Sequence, residues 1–323
     1  MGATGTLGSA VVRRLTAASG AADGRAGQVL GLARRRPPGM PPGASWAPAD
    51  ITRDSTADLA ARFAGADAVI HLACLFQPAR RPEVTWRTNV LGSERVFEAV
   101  AAAGVPALVH ASSVVAYAPA PKGRRVTEDW PTHGTPTAAY CREKTYAERL
   151  LDAFEQRHPE VRVVRPRPAL VLSRYSAARQ RRLFGGPLVP AHGAVHAPPL
   201  LPDVPGLRFQ ALHAEDAAVA LTRCALRPVR GAFNLAAEPP LDARELAALT
   251  GARAVRVPYR PVRAAVDAAW RLRLLSTPPG LLDAVLACPL MDTGRARREL
   301  DWRPAHSATE AAAALLAGPG DPP

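Results

Sequence analysis

Short apolar runs bounded by turn-forming or charged residues alternate along the chain with longer stretches whose apolar residues recur every three to four positions. QVLGLARR, ADAVIHLAC, PALVHASS and VRVVRPR are of the first kind and predict buried strands. WRTNVLGSERVFEAVAAAG, with Val90, Val96, Phe97 and Val100 on one side, and TAAYCREKTYAERLL are of the second kind and predict amphipathic helices. From about residue 166 the texture turns proline-rich, as in GGPLVPAHGAVHAPPLLPDVPG, which predicts an irregular loop over a binding site. FQALH and GAFNLAA predict a return to the sheet, with a helix from about Asp216 to Ala225 between them. Residues from about 242 to 317 predict helices with one short strand, AVRVPYR, and the final GPGDPP is expected to fray. The expectation is an α/β chain with a doubly wound, Rossmann-like parallel sheet. Residues 1–165 would form the dinucleotide-binding domain and 166–323 a smaller, mostly helical C-terminal substrate lobe, of which about 207–237 rejoin the sheet.

Composition narrows the classes. With 323 residues, 48% of them hydrophobic, the chain can bury a large core. Nothing approaches 18 consecutive apolar residues, and MGATGTLGSAVVRRL lacks the order of a signal peptide, so the reading is cytoplasmic with no membrane partner. The formal charge is +13, but the arginines are scattered and rarely alternate with aromatics, which argues against nucleic acid. Arg174, Arg179, Arg181 and Arg182 in RYSAARQRRLFGG are the exception. They line a pocket for an anionic substrate or form a solvated helix face, and the sequence leaves both open. Cys74, Cys141, Cys224 and Cys288 are far apart, without CxxC or metal-ligand spacing, so free thiols and no metal are expected.

Among 41 Lys and Arg residues only Lys122 and Lys144 are lysine, and Lys144 stands four positions after Tyr140 on the predicted helix. That spacing puts an ammonium beside a phenol on one helix face, where the charge favours the phenolate and makes a general acid/base pair. GATGTLG places Gly2, Gly5 and Gly8 immediately before SAVVRRL. Glycines at such a turn let a pyrophosphate approach the backbone, and the helix start supplies amide donors. At the end of VLGLARRR, Ala33 stands where an NAD site has a carboxylate for the ribose 2′-hydroxyl, and Arg34, Arg35 and Arg36 follow, a set that suits a 2′-phosphate. NADP is therefore preferred over NAD. Ser113, at the carboxyl end of PALVHASS, lies where the ligand crevice of a parallel sheet opens, and its hydroxyl can bond a substrate oxygen.

These residues resemble the extended short-chain dehydrogenase/reductase superfamily, specifically the NAD-dependent epimerase/dehydratase group, over nearly the whole chain. The resemblance rests on GATGTLG, Ala49 with Asp50, HLA at 71 to 73, TNVLGSERV, HASSVVAY, YCREK, VVRPRPALVL, HAEDAAVAL and DTGRARRELDWRP. It implies that Tyr140 is the catalytic acid/base, Lys144 its pKa-lowering and ribose-binding partner, Ser113 the substrate-oxygen ligand and Asn89 a supporting residue. By the same resemblance Gly2, Thr4, Gly5, Thr6, Leu7 and Gly8 cradle pyrophosphate, and Arg34 and Arg35 meet the adenosine phosphate. Asp50 and Ile51 border the adenine, Leu72 and Ala73 the cofactor's middle, and Pro166 the nicotinamide. Asp216 and Arg295 are assigned structural roles.

Three features depart from the pattern. Nucleotide-sugar members carry an asparagine shortly after the sixth strand, where this chain reads RPRPALVL, and an arginine at the place of Phe209, with Arg208 one residue off. The first phosphate-turn glycine is already residue 2, so the central strand that should precede it is absent. That gap predicts unpaired backbone in the core, and with it an N-terminally shortened form of the protein or a sheet that rearranges or borrows a strand from another subunit. The reading is an NAD(P)-dependent oxidoreductase acting at a carbinol or carbonyl carbon of a small-molecule substrate, and a homodimer is compatible with it. The alternatives are a nucleotide-sugar epimerase or dehydratase without net redox change, and a non-catalytic NADP sensor.

Overall fold

The computed structural model describes residues 1–19, 28–37, 39, 41–76, 80–174 and 199–317. The strands in chain order are β1 (Val29–Ala33), β2 (Ala44–Pro48), β3 (Val69–His71), β4 (Ala107–His110), β5 (Arg125–Val126), β6 (Arg162–Pro168) and β7 (Leu170–Leu172). After them come β8 (Leu200–Asp203), β9 (Arg208–Phe209), β10 (Ala211–His213), β11 (Gly231–Leu235), β12 (Leu241–Asp242), β13 (Arg253–Arg256) and β14 (Leu290–Met291). The helices that position the site are α1 (Thr6–Ser19), α2 (Thr56–Phe63), α3 (Pro82–Trp86), α4 (Gly92–Ala102), α5 (Ala139–Arg157), α6 (Ala214–Leu226) and α7 (Ala243–Thr250).

Each predicted buried run forms a strand, and three of them, β3, β4 and β6, pair in parallel with β11 in the order β11-β6-β4-β3. Side chains alternate across a strand, so neighbours in sequence feed different cores. Leu108 and Val163 enter a cluster with Leu59, Phe97, Leu151 and Phe154, on the face covered by α2, α4 and α5. Val109 and Val164 enter the opposite cluster with Val11, Leu221, Phe233 and Trp302, under α1 and α6. Each fully buried side chain of this size is worth about 1.5–3 kcal/mol, which is why the alternation fixes the register. α2 opens on a capping box, with Ser55 and Asp58 satisfying each other's backbone N–H.

Among the described residues the sheet is divided between β1 and β3. β1 pairs with β2, and makes no ladder with β3. Met1 to Ala3 bridge the two parts at their carboxyl ends. The Met1 amine donates to Ile70 O at 2.8 Å, Leu72 N donates to Met1 O at 3.0 Å and Gly2 N donates to Leu32 O at 2.8 Å. Burial pushes that amine down to about 5. Leu30, in the middle of β1, is 44% exposed.

Two differences from the sequence reading concern the C-terminal half. β6 runs to Pro168, so a boundary drawn between 165 and 166 cuts a strand, and β10 and β11 bring later segments back beside it. The proline-rich stretch is not all loop. Its end, Leu200 to Asp203, is β8, paired in parallel with β13 from Leu200↔Arg253 to Asp203↔Arg256. Pro202 is tolerated there because, among the described residues, β8 pairs with β13 on one side only.

Candidate active site

Tyr140 lies in the first turn of α5, and Ser113 ends the segment after β4 as the N-cap of a short 3-10 turn, Val114–Ala116. The Ser113 hydroxyl, which accepts from Val115 N at 3.4 Å, stands close enough to the phenol to pull its pKa down. Lys144, one turn further along α5, is buried, donates from Nζ to Ala111 O at 2.6 Å and stands 5.9 Å from the Tyr140 ring centre. α5 thus brings its phenol and ammonium against the carboxyl end of β4, the crevice side of a parallel sheet. The helix starts beside the C-terminal lobe. A Cβ at Gly280 would stand 2.1 Å from Thr137 O, so only glycine permits this approach.

The electrostatics correct one expectation. Lys144 was expected to lower the phenol's pKa, yet Tyr140 is held well above its ordinary value. Burial is the first cause, with Cys74 and Cys141 adding to it, and the Ser113 hydroxyl opposes them without winning. Phe76 packs edge-on against it with ring centres 4.6 Å apart.

Asn89 sits in a π-helical turn, Arg87–Leu91, and is buried. Its Oδ1 accepts from Leu75 N at 2.7 Å, while its Nδ2 donates to Leu75 O at 3.2 Å and to Glu143 Oε2 at 2.7 Å. Thr85 Oγ1 donates to the other Glu143 oxygen at 2.5 Å. Asn89 thus ties the loop bearing Cys74 and Phe76 to α5. Burial raises the Glu143 carboxyl despite these donors. Sequence reasoning missed Cys74, Phe76 and Glu143. Glu143 alone carried a signal, a carboxylate three positions after Tyr140 on the same helix.

Two turns further along α5 than Tyr140, Glu148 is fully buried. Its Oε1 accepts from Ser112 Oγ at 2.6 Å and Arg167 Nε at 2.9 Å, and its Oε2 from Arg167 Nη2 at 3.0 Å and Arg165 Nη1 at 3.2 Å. Pro166 lies between the two arginines on β6, and its carbonyl accepts from Ser112 N at 2.8 Å. The nicotinamide-side residue of the sequence reading is therefore adjacent to the Ser112–Ser113 turn.

The glycine turn tests the fit of a dinucleotide. A Cβ on Gly2 would meet Ala73 N at 2.7 Å, and one on Gly8 would meet Gly2 O at 2.1 Å. The turn is thus packed against Leu72 and Ala73, and Ser9 N donating to Gly5 O opens α1 above it. Thr4 is exposed, Thr6 and Leu7 begin the helix, and their amides face the side where an anion is favoured. Ala33 ends β1, and Arg34 and Arg35 follow it exposed. Asp50 has its Oδ1 taken by Thr52 N at 2.9 Å and Thr52 Oγ1 at 2.7 Å, with Arg34 close enough to help hold the carboxyl down. Ile51 is buried under Gly92 in the core beside this corner. These residues form one continuous edge that fits a dinucleotide.

The description of the NAD dependent epimerase/dehydratase family matches residues 1–236. The chain belongs to that family. Curated relatives include the uncharacterized protein Rv2047c of Mycobacterium tuberculosis, 28% identical over 96% of this chain. This chain spans 28% of that relative's length. Among solved structures, the family fold recurs in the dTDP-glucose 4,6-dehydratase DesIV of Streptomyces venezuelae with NAD and TYD bound. TM-score there is 0.72 at 21% identity, covering 98% of this chain and 94% of that one. The Thermus thermophilus UDP-glucose 4-epimerase complex with NAD matches at TM-score 0.67 and 18% identity, covering 98% and 96%.

The residues assigned structural roles behave so. Asp216 accepts from Ala305 N and His306 N, each at 3.0 Å, and Arg295 donates to Ala232 O at 2.8 Å. Arg174 is exposed at the end of the described segment, whereas Arg179, Arg181 and Arg182 lie outside the described residues. Among the described residues no group of three His, Cys, Asp or Glu is placed to hold a metal, and no helix is long and apolar enough to cross a membrane.

Proposed function

We propose that this chain catalyses oxidation and reduction at a carbinol or carbonyl carbon of a small-molecule substrate, with NADP preferred over NAD. The buried Tyr140 phenol beside Ser113 at the carboxyl end of β4, with Lys144 one turn away and 5.9 Å from the ring centre, is the observation that carries this reading. Gly2, Gly5, Gly8 and the start of α1 would hold the pyrophosphate, and Arg34 and Arg35 the 2′-phosphate. When bound, the nicotinamide accepts or returns hydride at the carbon. Ser113 fixes the substrate oxygen, and Tyr140, protonated in its buried setting, delivers the proton to that oxygen in reduction. In oxidation the phenol must take the proton back, and the Lys144 ammonium on the same helix face stabilises the resulting phenolate. Asn89 and Glu143 keep the Cys74–Phe76 loop closed over the phenol and exclude water.

A second reading, nucleotide-sugar epimerisation or dehydration without net redox change, is favoured by the substrates named for the neighbouring structures. The segment RPRPALVL and Phe209 stand against it, because the asparagine and the arginine that grip a diphosphate in the family pattern are missing there. A third, non-catalytic binding of NADP, is opposed by the retained Ser113, Tyr140 and Lys144. The reading is tested by incubating the protein with alcohols, ketones and nucleotide sugars while following NADPH absorbance and product stereochemistry. A net absorbance change supports the oxidoreductase. A converted substrate without it makes the chain an epimerase or dehydratase, and binding without turnover makes it a sensor.

A further inference from the structure

A cavity of about 310 Å³ lies in the C-terminal lobe, and none of the catalytic or cofactor residues above lines it. Its charged lining is Lys122, Arg208, Arg244 and Arg256 against Asp203 and Asp242. The volume is at the small end of the range for small-molecule sites. Four cationic and two anionic residues line one small space, a surplus of two positive charges.

Strand geometry sets this cavity apart from the grip for a substrate diphosphate. Neighbours along a strand point to opposite faces, so Arg208 and Phe209 of β9 diverge. Phe209 packs on the core, while Arg208 is exposed and turns into the cavity beside Asp242, its partner on β12. β8 and β13 bring Asp203 and Arg256 into register on the adjoining wall.

The available donors are what the cavity offers. Among the described residues Arg208, Arg244 and Arg256 make no ion pair and no side-chain hydrogen bond, so their guanidinium forks are uncommitted. Lys122, the chain's other lysine, is half-buried and held by two carbonyls, Cys288 O at 2.5 Å and Val285 O at 3.3 Å. No carboxylate pairs with it among the described residues, and one of its three donors remains free. Asp242 Oδ1 is used up capping α7, accepting from Arg244 N at 2.8 Å and Glu245 N at 3.0 Å. Asp203 has no such task, and its oxygens are free to accept from a hydroxyl.

We propose that this cavity binds a small phosphate monoester that also carries hydroxyl groups. The phosphoryl group carries about −1.5 to −2 charge, matching the surplus of two cations, and guanidinium forks match its oxygens. Asp203 takes a hydroxyl of the ester and disfavours a bare anion.

Calorimetric titration of the full chain in chloride buffer, with inorganic phosphate and with glycerol phosphate as probes, tests this. Glycerol phosphate should bind saturably and more tightly than inorganic phosphate. Arg208→Ala and Arg256→Ala should each weaken it by about tenfold or more, the size expected for a lost hydrogen bond to a charged group. Arg34→Ala, at the cofactor edge, should leave it unchanged, so the result stands whether or not the chain turns over any substrate. Both lobe arginines are exposed and unpaired among the described residues, and melting temperatures of the free variants check that the fold persists. If Arg256→Ala unfolds, Arg244→Ala carries the same comparison. Absence of saturable binding, equal affinity in the variants, or equal affinity for the two probes overturns the proposal.

Discussion

Replacing Glu148 by glutamine removes the one carboxylate that both buried arginines of β6 share, and its cost can be worked two ways. The paired arginines and the Ser112 hydroxyl hold the Glu148 carboxyl at about 2 against an ordinary 4.5, even though burial alone would raise it. That difference corresponds to about 3 kcal/mol of native-state preference for the charged form. In Glu148→Gln, Arg165 keeps Asp152 at 2.6 Å and also Glu155, but Arg167 is left with Tyr117 Oη at 2.9 Å and Glu128 O at 3.0 Å and no carboxylate. Stranding a buried charge in this way costs about 3–5 kcal/mol, so the two routes agree. The pH dependence has a definite sign. A depressed carboxyl contributes its full stability above 4.5 and loses it as the pH falls through about 2, where the protonated wild type and the glutamine variant become alike. Urea unfolding of both proteins across that interval measures the gap. A gap below about 1 kcal/mol at neutral pH, the worth of an exposed pair, would refute the reasoning, as would one that persists unchanged at the acid end.

Three further outcomes are expected. Arg34→Asp with Arg35→Asp should shift preference from NADP towards NAD, because a carboxylate repels the 2′-phosphate and accepts from a free 2′-hydroxyl; an unchanged ratio of the two dissociation constants removes both arginines from the site. Asn89→Ala should lower stability by about 2 kcal/mol in chemical denaturation, since it leaves Leu75 N and O and one Glu143 oxygen short of partners, and a loss within error would mean that water replaces the amide fully. An apolar strand of about six residues joined before Met1 should raise Tm, because it pairs the inner edges of β1 and β3 and turns a buried amine into a peptide N–H. Equal melting temperatures would show that the divided sheet costs nothing.

The predicted strands were legible because runs such as ALVH, and the Val163–Val164 pair of β6, place apolar side chains on both faces, as a covered parallel sheet demands. β2 was not, since ASWAP is short, ends in proline and pairs on one side only. β8 was hidden because Pro202 reads as a breaker, and only the partner strand, some fifty residues later, shows that its backbone is paired. At the site, the Tyr140–Lys144 spacing spoke for itself, as helix geometry fixes it. Cys74 and Phe76 carried no such mark. They reach Tyr140 through the loop after β3, and only the Asn89–Leu75 hydrogen bonds determine where that loop lies. The direction of the Tyr140 shift was equally out of reach, because burial is its first cause and Cys74, far off in sequence, adds to it.

The claim that Tyr140 moves the proton at the reacting oxygen is tested most directly by Tyr140→Phe, with cofactor dissociation constant and single-turnover rate measured side by side. The account predicts nearly unchanged cofactor affinity and a rate reduced by roughly two to four orders of magnitude, the contribution of a positioned general acid/base. A variant that keeps more than half of the wild-type rate under conditions where chemistry is limiting would contradict it.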